Sequence, residues 1–174
     1  TESRGFFLPQ ATLDPITPTN VVVNGATRRG SKEGIKPVGA ESGTLFIQRA
    51  GKSLREFLFS DVELSYISNN ISLLSSHLLK SPSDMALRKA TSTTDGDLLL
   101  IVNETDGSLA TYSILRGQNV IAPSLSTTDG EFINVGVDVD QIYFTVKRTI
   151  SSAAKYYVEC FNDDNTTDSA KLYS

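Results

Sequence analysis

Apolar and polar residues alternate with a period of two through much of this chain, and turn residues interrupt them at short intervals. That is the signature of half-buried β-strands. The clearest unit is Gly43-Thr44-Leu45-Phe46-Ile47-Gln48-Arg49 followed by Ala50-Gly51-Lys52 and Ser53-Leu54-Arg55-Glu56-Phe57-Leu58-Phe59. It reads as two apolar strands joined by a tight turn, with Arg55 and Glu56 on the second strand. From Met85 the strand pattern resumes, most strongly in Asp97-Leu98-Leu99-Leu100-Ile101-Val102 and in Ser108-Leu109-Ala110-Thr111-Tyr112-Ser113-Ile114. Asp106-Gly107 between them predicts a type I′ hairpin turn, because both residues accept positive φ. Further strands are expected at Phe132-Ile133-Asn134-Val135-Gly136-Val137, at Gln141-Ile142-Tyr143-Phe144-Thr145-Val146-Lys147-Arg148 and at Lys155-Tyr156-Tyr157-Val158-Glu159-Cys160-Phe161.

One stretch breaks the pattern. Ile71, Leu74 and Leu78 fall at helical spacing, so a short amphipathic helix is expected near residues 70–79, capped by Asn69 or Asn70 and followed by Pro82. The first part of the chain, by contrast, is punctuated by Pro9, Pro15, Pro18 and Pro37 and by Gly25, Gly30, Gly34 and Gly39. Only Asn20-Val21-Val22-Val23 reads there as a strand. The expected organisation is an irregular Pro/Gly-rich segment over 1–43, an all-β domain of antiparallel strands over 44–161, and a polar linker over 162–174. Short strands with Asp-Gly turns are compatible with a sandwich, a barrel or propeller blades.

At 174 residues and 39% hydrophobic content the chain is sized for one globular domain, or for a piece of a larger protein. Thr1 in place of Met is expected of a processed protein or an excised fragment. No apolar run reaches the roughly 18 residues that span a bilayer, and no signal-peptide pattern opens the chain. The net charge of −4 argues against a dedicated nucleic-acid binder, which needs a basic surface to displace phosphate counterions. The basic stretch from Thr27 to Gly34 reads as a solvated loop.

Candidate chemistry is sparse. His77 is the single histidine and Cys160 the single cysteine, too few for a zinc site, and no Gly-x-Ser-x-Gly elbow or phosphate-binding glycine loop appears. His77 is expected to pack as a structural residue on its helix, and Cys160, beside Val158 and Phe161, to be a small core residue. The Asp95/Asp97, Asp138/Asp140 and Asp163/Asp164 pairs lack calcium-loop spacing and read as turn formers. No enzyme activity and no cofactor is expected.

Several segments, taken in order, resemble the tail tubular (nozzle, or head–tail stabilisation) proteins of short-tailed phages. They are Ile16-Thr17-Pro18-Thr19-Asn20-Val21, the strand ending in Gln48-Arg49 with its return through Leu54-Arg55-Glu56-Phe57, Asn70-Ile71-Ser72-Leu73-Leu74-Ser75-Ser76-His77-Leu78, Asn103-Glu104-Thr105-Asp106-Gly107-Ser108-Leu109, and the run from Thr128-Asp129-Gly130 to Tyr157-Val158-Glu159. The likeness covers roughly residues 16–161. It departs where the family usually carries Trp and His, since here Ala122-Pro123-Ser124-Leu125-Ser126 precedes the last Asp-Gly and Trp is absent.

The resemblance implies β-propeller-like blades in a ring-forming virion protein of the phage tail, made in the bacterial host cytoplasm. It implies partners among other tail or adaptor proteins and DNA that passes without sequence-specific binding. No catalysis is implied. Arg49, Arg55, Glu56, His77 and Arg148 would then be structural or interface residues, with the arginines and Lys147 in inter-strand or intersubunit salt links. The alternative is a receptor- or glycan-binding module of a phage tail, which calls for aromatic residues clustered on loops. Tyr112, Tyr143, Tyr156 and Tyr157 fall instead in expected strands.

Overall fold

The computed structural model describes residues 5–7, 17–19, 24–41, 43–92 and 95–162. A short antiparallel pair, β1 (Gly5–Phe7) and β2 (Asn24–Thr27), precedes the main body. There the chain forms antiparallel meanders, each strand pairing with its neighbour in sequence. The first sheet holds β3 (Val38–Gly39), β4 (Thr44–Ile47), β5 (Leu54–Ser60) and β6 (Ser65–Asn70). The second holds β7 (Pro82–Arg88), β8 (Asp97–Asn103), β9 (Leu109–Leu115) and β10 (Val120–Ser126). The third holds β11 (Glu131–Asp138), β12 (Gln141–Ile150) and β13 (Ala153–Cys160). The all-β class is as expected.

The sheets stack face to face, with the second in the middle. Leu99 and Ile101 of β8, with Ala110, Tyr112 and Ile114 of β9, pack against Leu45, Ile47 and Leu54 of the first sheet. The alternate residues Leu100 and Val102 of β8, with Leu109, pack against Val135, Ile142, Phe144 and Val146 of the third. Covered on both sides, β8 is buried from Leu99 through Val102, which explains its unbroken apolar run. The first strand of the second sheet, β7, touches β3 on one side and β11 on the other. Ile35 joins the first core cluster and Lys32 N–H donates to the Ile47 carbonyl at 2.8 Å, so residues ahead of Val38 pack with the first sheet.

The helix expected near residues 70–79 does not form. The connector between the first and second sheets contains only a 3-10 turn, Ser76–Leu78. Ile71 and Leu78 reach the first core cluster, but Leu74, between them in the helical spacing, is 93% exposed, so the three do not share one buried face. The hydroxyls hold the backbone in another shape. Asn70 Oδ1 accepts from the backbone and side chain of Ser72, and Ser72 Oγ accepts from Leu54 N–H at 2.9 Å.

The turns also differ from expectation. Between β8 and β9 a longer loop replaces the type I′ turn: Asn103 N–H donates to the Ser108 carbonyl, and only Gly107 takes positive φ, at 60°. Asp106 bends the loop by accepting from Ser108 N–H and Oγ. Positive φ at both central residues occurs instead at Ser151 and Ser152, between β12 and β13. The strand expected at residues 20–23 lies outside the described residues, as does the polar tail beyond Asn162.

Candidate functional site

The charged residues singled out in the sequence lie in separate places, and two of them end in buried ion pairs. Glu56 sits on the core face of β5, in line with Leu54, because residues two apart share a strand face. It is 1% exposed. Its carboxylate contacts the Arg116 guanidinium, which projects from the turn after β9, so the pair bridges the first and second sheets. Arg116 Nε is buried with no hydrogen-bond acceptor. Taking two charges out of water costs several kcal/mol, and their attraction offsets that only while both are present.

Arg148 is the second. On β12 it follows Ile142, Phe144 and Val146 on the inward face. Its Nε and Nη2 each meet a different Glu159 oxygen at 2.8 Å, the bidentate geometry that a planar guanidinium favours. Nη1 donates to the Asp129 carbonyl at 2.6 Å and Nη2 to Thr128 Oγ1 at 2.9 Å. Arg148 therefore ties β12 to β13 and to the loop leading into β11. Neighbouring Lys147, on the outward face, pairs with Glu131 of β11 at 2.9 Å. The hydrogen bond and charge of Glu131 hold the Lys147 ammonium above its ordinary pKa.

Arg55 points away from Glu56, across the sheet. Its Nε donates to Gln48 Oε1 at 2.9 Å, and Nη1 donates to the Ser68 carbonyl and hydroxyl. Burial, and then the charge of Arg29, lower its pKa from the ordinary arginine value. Arg49 is exposed on the β4–β5 turn, which its backbone N–H fastens to the Gly30 carbonyl at 2.6 Å. His77 is exposed in its 3-10 turn, not packed, because the helix meant to bury it is absent. Cys160 is likewise exposed rather than in the core, since it falls on the outward face of the third sheet. Among the described residues no group of three or more His, Cys, Asp or Glu could hold a metal ion.

Sequence reasoning missed the polar ties that lock one sheet to the next. Asn103, fully buried at the end of β8, donates to the Leu78 carbonyl and Ser108 Oγ and accepts from Lys80 N–H. The Tyr112 hydroxyl meets Ser75 Oγ at 3.2 Å and raises the count of side chains pinning the same connector; burial holds its pKa up, against the Ser75 hydrogen bond. Burial opposes ionisation of Asp106, but hydrogen bonds from Lys80 and Ser108 outweigh it and hold the carboxyl below its ordinary range. On the other side of the second sheet, Asp84 of β7 accepts from Val135 N–H of β11 at 3.0 Å, where both strands carry a bulge. A buried Asn closing an apolar run was the one visible signal. Arg116, alone after its strand, offered none.

No protein-family model and no curated protein matches this chain. The geometry presents joints between stacked sheets, with the guanidinium groups of Arg116 and Arg148 spent on internal carboxylates.

Proposed function

We propose that this chain is a structural part of a phage tail tube or nozzle, built as successive propeller-like blades in a ring-forming virion protein through which DNA leaves. One observation carries the reading: consecutive meander sheets stack face to face while their first strands, β3, β7 and β11, touch in turn. Blades set radially about an axis have that relation, with inner strands adjacent. The collinear likeness to nozzle proteins supports it, since the hairpin carrying Gln48 and Arg49, the Asn103 loop and the Thr128 loop are all structural joints here.

The ion pairs fit a conduit. Lys80 with Asp106, Arg116 with Glu56, Lys147 with Glu131 and Arg148 with Glu159 leave those cations neutralised. With Arg116 and Arg148 turned inward and Lys80 and Lys147 paired at the surface, these four cations release few counterions from DNA and so retain it weakly. Immunogold electron microscopy of virions, with an antibody raised against this chain, tests the reading. Label at the tail is expected; virions that carry no label, with the chain remaining in the host lysate, would overturn it.

A further inference from the structure

We propose that one end of the first sheet docks on the surface of an anionic lipid bilayer. Leu73 and Leu74 enter the headgroup boundary there, while Arg28, Arg29, Arg49 and Lys52 meet lipid phosphates. The proposal stands apart from the tail reading, because such docking needs no virion.

Two loops bring the cations together. Arg49 N–H donates to the Gly30 carbonyl at 2.6 Å, and Ser31 bridges to Gln48. The loop carrying Arg28 and Arg29 therefore lies against the β4–β5 turn, which carries Arg49 and Lys52. All four side chains are exposed, and among the described residues none of them meets a carboxylate. Residues 27–55 hold seven lysines and arginines against two acids, Glu33 and Glu41, in a chain whose net charge is −4. Glu33 shares the loop and offsets one charge. The charge of Arg29 also reaches Arg55 on β5 and helps lower its pKa, so the cations are crowded enough to repel one another.

The leucines stand at the same end of the sheet. Ile71 N–H donates to the Leu54 carbonyl at 3.1 Å and Leu54 N–H to Ser72 Oγ at 2.9 Å, which fastens the connector beside the Lys52 turn. Leu73 and Leu74 follow directly, 71% and 93% exposed, and residues 71–79 carry no acid. Further along, Lys80 neutralises Asp106, and Glu104 N–H bonds the Ser81 carbonyl at the connector's far end. Uncovered apolar side chains bordered by unpaired cations match a bilayer boundary, where apolar groups enter and anionic headgroups attract the charge. A nucleic acid would satisfy the cations but leave the leucines in water, since stacking on bases calls for aromatic rings. A protein partner would need a pocket shaped for each leucine, whereas a fluid bilayer needs none. The protruding Val62 and Leu64 on the β5–β6 turn are flanked by Asp61 and Glu63, which an anionic surface repels.

Flotation of the full chain with vesicles of mixed phosphatidylcholine and phosphatidylglycerol tests the docking, with pure phosphatidylcholine vesicles as the reference. The chain should float with the anionic vesicles, stay behind with the neutral ones, and be released as salt rises. Leu74→Ser should weaken binding by about tenfold, and Arg28→Glu and Arg49→Glu should each weaken it several-fold. Leu64→Ser, on the β5–β6 turn, should leave it unchanged. If Leu74→Ser fails to fold, as far-UV circular dichroism would show, the unaltered chain still decides: anionic vesicles should slow acetylation of Lys52 but not of the exposed Lys89. A chain that ignores anionic vesicles, or floats equally with neutral ones, overturns the proposal. So does binding indifferent to Leu74→Ser, or capture by an oligonucleotide without any binding to vesicles.

Discussion

Glu56 on β5 and Arg116 after β9 meet in a buried ion pair that joins sheets far apart in sequence. The partners are unequally buried: the Glu56 side chain is 2% and the Arg116 side chain 27% exposed, so loss of Arg116 takes the cation from a buried carboxylate, whereas Arg116 can turn to water when Glu56 is lost. Arg116→Ala is therefore expected to cost about 3–5 kcal/mol and Glu56→Ala less, whereas replacing both with leucine or methionine should cost far less or even stabilise. Urea unfolding of the single and double variants distinguishes these outcomes, and equal losses in all of them would contradict the pairing.

Arg148 makes a sharper geometric demand. Lysine keeps the charge but cannot reach both Glu159 oxygens while also serving the Asp129 carbonyl and Thr128. Arg148→Lys should thus destabilise nearly as much as Arg148→Gln, by about 1.5–3 kcal/mol for each lost charged hydrogen bond that stays unreplaced. A double-mutant cycle with Glu159→Gln should return a clear coupling energy. Additive effects would show that the two side chains act independently.

The Asp106 loop predicts a pH dependence. Its folded pKa is lowered, so the stability it contributes is fully present above the unfolded carboxylate value of about 3.9. That contribution fades as pH falls through the folded value. Thermal melts between neutral pH and strongly acidic pH should therefore show a component of acid destabilisation that Asp106→Asn removes. An unchanged pH profile in that variant would rule the loop out as its source.

Gly107 and Gly117 form a matched pair of tests. Gly107 takes φ of 60°, and a Cβ there would come within 2.5 Å of the Glu131 Cβ. Gly117 has nothing within 4 Å and no positive φ. Gly107→Ala should cost well over about 1 kcal/mol, and Gly117→Ala should be neutral or slightly stabilising. Chemical denaturation of the two variants suffices to compare them.

The strands were legible because their local pattern is strong: Asp97 through Val102 became β8 with one residue added, and the Ala50-Gly51-Lys52 turn joins β4 to β5 with Gly51 at φ of 69°. What failed was anything set by a neighbour distant in sequence. Cys160 beside Val158 and Phe161 looks like core, yet all three are exposed; Val158 and Cys160 lie on a face that no sheet among the described residues covers. The Ile71, Leu74 and Leu78 spacing suits a helix only where one surface receives all three, and here Leu74 stays in solvent while the other two reach the core. The joints were hidden for the same reason, since nothing local distinguishes Arg116 or Ser75 from solvated residues.

Each strand pair in the three main sheets joins sequence neighbours, so every sheet closes through short loops that form quickly. The ties on Asn103, Tyr112, Glu56 and Asp84 all converge on the second sheet from both sides. That sheet is the keystone of cooperativity. A destabilised second sheet should release its neighbours together, and the stack should then melt as one unit instead of peeling from its ends.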